Sequence, residues 1–201
     1  MKHILFVCTG NTCRSPLAES LLRHMAEKEG LALEVRSAGI YAVDGMPASE
    51  ETLRILKERG ADHKLTAKRV TEEGVNSADL ILTMTMGHKQ AIIQQFPQIA
   101  EKTYTLKEYV EEDPEVLNRL KERQRLLAEM EMKTSLKEQI PEDELKRLAE
   151  LEKNMPDFDI ADPFGGTAET YNLCAAEIEH CLHKLVRKLK GQGTDFTQSA
   201  E

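Results

Sequence analysis

Four consecutive apolar residues, Ile4-Leu5-Phe6-Val7, run into Cys8 and then into a short polar loop that ends at Ser15-Pro16. A run with no polar alternation suits a strand covered on both faces. Ser followed by Pro suits a helix start, Ser as the cap and Pro at the first helical position. Leu17, Leu21, Leu22 and Met25 then recur at helical spacing, and Gly30 closes the segment. This strand–loop–helix unit repeats along the chain. LALEVRSAG (31–39) reads as a second strand, 48–59 as an amphipathic helix, ADLILTM (78–84) as a third strand, and 88–96 as a helix stopping before Pro97. KTYTL (102–106) reads as a fourth strand and 167–190 as a last helix. Strands alternating with helices predict an α/β three-layer sandwich with a mostly parallel sheet and right-handed crossovers. In such a sheet the functional loops lie at the carboxyl ends of strands, where VCTGNTCRS (7–15) falls.

Residues 111–157 differ in character. They contain no glycine and are dense in Glu, Lys, Arg and Leu. Leu117, Leu120, Leu127 and Met130 mark one apolar face, and Leu145, Leu148 and Leu151 mark another after Pro141. The pattern predicts an inserted charged helical hairpin with a first arm roughly 30 Å long. Glu115 with Arg119 and Glu129 with Lys133 are expected to pair along it. The 201 residues then form a single domain, 1–201, carrying the insertion 111–157 and a frayed tail at 191–201. A net charge of −8 argues against a general nucleic-acid binder or a polybasic membrane anchor. MKHILFV is too short for a signal sequence or a membrane span, so a cytoplasmic location is expected. In that reducing setting the four cysteines are expected to be catalytic, redox-active or buried.

Chemistry concentrates in the loop. Cys8 and Arg14 are separated by five residues, and Ser15 follows directly. Between a strand and a helix N-terminus, the amides of Thr9, Gly10, Asn11, Thr12 and Cys13 can turn inward as an anion cradle. Gly10 is expected to supply a backbone conformation closed to other residues. Arg14 offers a planar fork for two phosphate oxygens. The positive setting favours the thiolate of Cys8, Ser15 can donate to its sulfur, and Asn11 can tie the loop together. A leaving group also needs an acid, and ADPFGG (161–166) supplies Asp162, with Phe164 able to wall a pocket. Each residue also has a plainer reading: Cys8 as an inert buried thiol, Asp162 as a turn residue, Tyr41 as a loop aromatic. Cys13 is either a core residue or the partner of a reversible disulfide with Cys8. Cys174 and Cys181 share one face of the last helix, too far apart to bridge, and read as core. His3, His24, His63, His88, His180 and His183 are scattered and read as structural or solvated.

Taken in order, Cys8-Thr-Gly-Asn-Thr-Cys-Arg-Ser-Pro, Ser37-Ala-Gly, DLILTM and Asp162-Pro-Phe-Gly-Gly resemble the low-molecular-weight protein tyrosine phosphatases over about 1–110 and 158–190. The resemblance implies a four-stranded parallel sheet of order 2-1-3-4, a phosphocysteine intermediate, and neither metal nor other cofactor. It makes Cys8 the nucleophile, Arg14 the phosphate clamp and Asp162 the general acid, with Asn11, Ser15 and Ser37 supporting the loop. The wording CTGNTCRSP, RSAG, HKQ, TLKEYV and DPFGG is closer to the bacterial protein-arginine phosphatase branch. There Thr12 stands where tyrosine-directed relatives usually carry a larger aliphatic residue. A hydroxyl at the pocket floor disfavours an aryl ring and suits a guanidinium, on which Tyr41 and Phe164 would stack. Phosphorylated proteins, phosphoarginine first, are then the expected substrates, with phosphotyrosine proteins as the alternative. Arsenate reductase and a phosphate-binding module rank below both, and 111–157 offers a surface for a protein partner.

Overall fold

The computed structural model describes residues 2–61 and 65–194. Four strands form one parallel sheet: β1 (Lys2–Cys8), β2 (Leu33–Gly39), β3 (Leu80–Thr83) and β4 (Thr103–Thr105), in the order β2-β1-β3-β4. This is the fold class and strand order expected. The period of two in a strand sorts the apolar run into two cores. Ile4, Phe6 and Cys8 face one side with Val35, Leu80 and Leu82, covered by helices α1 (Arg14–Lys28), α2 (Glu50–Glu58) and α8 (Ala168–Thr194). Leu5 and Val7 face the other with Ala38 and Ile81, covered by α3 (Glu72–Ser77) and α4 (Met86–Gln95). Burial on both faces is why β1 and β3 tolerate so few polar residues.

Local signals place the helix starts. Ser49 caps α2, Thr71 caps α3, and Thr85 caps α4 through the His88 amide at 3.1 Å. Thr105 and Glu108 form a reciprocal capping box on the four-residue α5 (Leu106–Tyr109). Neither α3 nor α5 was expected, because each is too short to show a helical period. Helix α1 departs from expectation differently: it begins at Arg14, one residue before Ser15, and Cys13 makes no side-chain cap. The Ser15 hydroxyl is used elsewhere, as described below, and Pro16 still lies in the first turn, where its missing N–H costs nothing. Of the expected tail, 191–194 continue α8, and 195–201 lie outside the described residues.

The chain divides into two compact units, Met1–Val110 with Phe158–Glu201, and Glu111–Asp157. The second is a pair of helices, α6 (Pro114–Ser135) and α7 (Glu142–Lys153). Asp113 caps α6 at the Glu115 amide, 2.8 Å away, with Pro114 at the first helical position. Met130 and Leu151 are buried, whereas Met132, Leu136 and Leu145 are exposed. Ion pairs cross between the two helices: Arg147 to Glu122 at 2.7 and 2.9 Å, Arg123 to Glu152 at 2.9 Å, and Lys133 to Glu144. The expected Glu115–Arg119 pair is present at 3.7 Å, but Glu129 pairs with Arg125 because Lys133 is drawn across to α7. Among the described residues no helix is long and apolar enough to cross a membrane.

Candidate active site

The loop after β1 wraps the Cys8 sulfur. The Asn11 amide donates to Sγ at 3.3 Å, and the Ser15 hydroxyl lies 2.9 Å from it. Asn11 Nδ2 donates to that same hydroxyl at 2.8 Å, which leaves the Ser15 proton to the sulfur or to Ala38 O, 3.5 Å away. The other Asn11 Nδ2 hydrogen goes to Ser37 Oγ at 2.8 Å, and Asn11 Oδ1 accepts from the Lys68 amide at 2.8 Å. Both amide hydrogens and the carbonyl oxygen of this side chain are engaged, so the buried Asn11 is locked.

Asn11 also carries the unusual backbone. Its φ is 55°, in the left-handed region that asparagine tolerates best after glycine. Gly10 has no positive φ, and a Cβ there would meet only Thr12 Oγ1 at 3.6 Å. The special conformation expected of Gly10 therefore belongs to Asn11. Gly39 is the glycine the loop requires: a Cβ there would lie 2.7 Å from Thr9 O and 2.8 Å from Asn11 N. The amides of Gly10, Thr12, Cys13, Arg14 and Ser15 make no hydrogen bond with any described residue.

Behind the loop, Ser37 donates to Glu19 Oε2 at 2.5 Å, and Arg23 holds Glu19 while donating to Val35 O at 2.9 Å. Glu19 is 7% exposed. A charge this deep needs such partners, and it anchors the Asn11–Ser37 pair from the helix side.

Arg14, 4% exposed, reaches the loop that brings Asp162. Its Nη1 donates to Ile160 O at 3.0 Å and its Nη2 pairs with Asp162 Oδ2 at 2.7 Å, while its buried Nε has no partner. Residues 148 positions apart thus meet at one guanidinium. Asp162 is half exposed, and its other oxygen accepts from the Phe164 amide at 3.2 Å. The Phe164 and Tyr41 rings are exposed, at 77% and 71%, and the Tyr41 amide is tied to Thr9 O at 2.9 Å. The Thr12 carbonyl accepts from Ser49 N at 2.8 Å, and its hydroxyl lies 3.6 Å from Cys13 Sγ. Cys13 is a buried free thiol 3.3 Å from the Tyr171 hydroxyl. Cys174 and Cys181 are buried in the same core, and burial pushes their thiols up to about 12 and about 11.

One histidine read as structural or solvated touches the loop. His88 Nε2 lies 2.8 Å from Thr9 Oγ1, and Nδ1 lies 2.8 Å from Thr85 Oγ1. Burial, and then the Arg14 guanidinium, push the imidazole down to about 4. Neutral, the ring can accept at one nitrogen and donate at the other. Its signal was the position three residues after a capping threonine at the end of β3. His63 lies outside the described residues. Glu19 and Asp159 were also missed; Asp159 Oδ1 accepts from the Met86 amide at 2.7 Å. Among the described residues no three His, Cys, Asp or Glu side chains group as a metal site.

A sulfur under inward donors, free amides at a helix start and a buried guanidinium whose Nε–H is unused together suit a tetrahedral oxyanion. Comparison with known proteins agrees. The family model for low molecular weight phosphotyrosine protein phosphatase matches residues 3–122. The protein-arginine-phosphatase of Geobacillus stearothermophilus is 34% identical over 188 residues, covering 94% of this chain and 96% of its own. That of Bacillus subtilis is 35% identical over 187 residues, covering 93% and 96%. The solved structure of a cysteine-to-serine mutant of the YwlE arginine phosphatase, with a phosphorylated active-site serine, is 34% identical. It covers 94% of this chain and 95% of that one with a TM-score of 0.69.

Proposed function

The chain belongs to the low molecular weight phosphotyrosine protein phosphatase family and is a cysteine-dependent phosphatase, and we propose that it hydrolyses phosphoarginine on proteins with Cys8 as nucleophile. The observation that carries the assignment of roles is the meeting of Cys8, Arg14 and Asp162 around one loop. A phosphoryl group takes the place of the Asp162 carboxylate on Arg14, whose unused Nε supplies a further donor. The loop amides of Gly10, Thr12 and Cys13 receive its oxygens. The Cys8 thiolate attacks phosphorus in line, and the P–N bond to the guanidine breaks. Asp162, which takes up a proton from solvent once displaced from Arg14, protonates the departing nitrogen, because an unprotonated guanidine anion is a very poor leaving group. The product is a phosphocysteine and a free arginine side chain. Asp162, now a carboxylate, takes a proton from water, which attacks phosphorus and returns the thiolate and inorganic phosphate. Asn11, Ser15 and Ser37 hold the loop; Tyr41 and Phe164, exposed at its mouth, stack on the planar guanidinium.

Arginine is preferred over tyrosine because Thr12 places a hydroxyl where an aryl ring would need apolar bulk, and because two relatives that match over nearly the whole chain are arginine phosphatases. The test is the rate on phosphoarginine and phosphotyrosine peptides side by side for wild type and Thr12→Ile. The substitution is expected to move preference toward phosphotyrosine; an unchanged ratio removes Thr12 as the determinant. The hairpin 111–157 is proposed to select macromolecular substrates, supported by the exposed Met132, Leu136 and Leu145 it carries. Replacing 112–157 by a short linker should lower activity on phosphoproteins relative to p-nitrophenyl phosphate.

A further inference from the structure

Resting on that reading, we infer that the turn from β3 into α4, Met84 to His88, sets the spacing between the two reacting loops, with His88 gripping the phosphate loop and Asp159 the acid loop. Near the chemistry the acid loop is held by Arg14, at Ile160 O and Asp162, and leaves Asp162 half exposed and Phe164 exposed. Further bonds, just upstream, run to this turn. Ile160 N donates to Met84 O at 2.8 Å, and Met86 N donates to Asp159 Oδ1 at 2.7 Å. Two residues further along, His88 reaches the opposite way to the Thr9 hydroxyl at 2.8 Å. Met84 N also donates to Val7 O at 3.0 Å, directly beneath the nucleophile. Within five consecutive residues, Met84, Met86 and His88 therefore hold backbone or side-chain bonds to the two loops.

The turn is stiff enough for this task. Met84 is buried, and Thr85 Oγ1 accepts from the His88 amide while contacting Nδ1, so the imidazole is fixed in direction as well as place. Lys107 adds a second hold on the acid loop by donating to Asp159 O at 2.6 Å. Neither His88 nor Asp159 is assigned to substrate contact. Both act through another group: His88 through the Thr9 end of the phosphate loop, and Asp159 through the position of Asp162, three residues on. Misplacing an acid by about 1 Å is enough to cost on the order of 100-fold in rate.

The experiment compares a phosphoarginine peptide, whose leaving nitrogen needs a proton, with p-nitrophenyl phosphate, whose leaving group needs it far less. Asp159→Ala is expected to slow the peptide reaction roughly 10- to 100-fold and the nitrophenyl reaction by no more than about 3-fold. Asp159→Asn, which keeps an acceptor for the Met86 amide, should recover most of the loss. Asp159→Ala should add nothing in an Asp162→Asn background. His88→Ala should instead raise KM and the inhibition constant of inorganic phosphate by about 10-fold for both substrates, with partial recovery in His88→Gln. Equal slowing of both substrates by Asp159→Ala, or full additivity with Asp162→Asn, overturns the inference and leaves only a folding role. An unchanged phosphate constant in His88→Ala overturns the His88 half. If Asp162→Asn itself shows no leaving-group selectivity, the acid assignment falls first and the inference falls with it.

Discussion

The α/β unit and the hairpin solve the same problem, holding helices in place, by opposite means. In the α/β unit helices are fixed by burial: Phe6, Leu22, Leu56, Ile81 and Leu82 are all but inaccessible, and even its charged Glu19 and Arg14 are sunk into hydrogen-bonded niches. In the hairpin two helices share little interior beyond Met130 and Leu151 and meet mainly through surface ion pairs. Burial gives a nearly water-free cage in which a donor aimed at a sulfur keeps its strength. Exposed ion pairs give approximate alignment that salt weakens. Chemistry that depends on tenths of an ångström belongs in the first kind of structure.

The sharpest way to break this contrast is at the sulfur. Cys8→Ser should lower turnover by about 10⁴-fold or more while leaving the unfolding midpoint nearly unchanged, read by steady-state rates and thermal melting. Trapped wild-type enzyme should carry phosphorus on Cys8 by mass analysis. Next in size is the core. Phe6→Ala should cost about 3–5 kcal/mol of global stability in urea unfolding, whereas Leu151→Ala should speed hydrogen exchange within 114–153 and leave the rate on p-nitrophenyl phosphate unchanged. A global loss from Leu151→Ala as large as that from Phe6→Ala would erase the distinction.

Smaller effects sharpen it further. The His88 imidazole, pushed from 6.5 down to about 4 by burial and Arg14, binds its proton less readily in the folded chain than in the unfolded one. Its stabilising contribution is therefore complete above pH 6.5 and drains away as pH falls toward 4. His88→Gln should flatten that part of the pH–stability curve, checked by urea midpoints at pH 7, 5.5 and 4.5. Smallest of all, Arg147→Gln should loosen only the hairpin, and added salt should remove the difference between variant and wild type in hydrogen exchange. The Glu122 carboxyl, held below its usual range by its hydrogen bond to Arg147, should return to it in the variant.

Much of the fold was legible because its signals are local. Ile4 to Val7 and the apolar spacing of Leu17, Leu21 and Leu22 act within a few residues of themselves, so strands and long helices follow from the chain as written. Cys8, Arg14 and Asp162 were legible as types in a loop pattern. Short elements were not: six residues of α3 and four of α5 carry too little periodicity to be seen.

The alternation of apolar and amphipathic segments determined a parallel sheet with helices on both sides, and the residue types of 8–15 marked its first loop as the candidate site. Only the tertiary structure decided that Asn11 rather than Gly10 takes the left-handed turn, that Gly39 must lack a side chain, and that Glu19, His88 and Asp159 brace the site. The physical reason is range. A helix or strand is set by neighbours a few residues away, whereas a buried hydrogen bond is set by whichever distant atom the folded chain delivers to within about 3 Å.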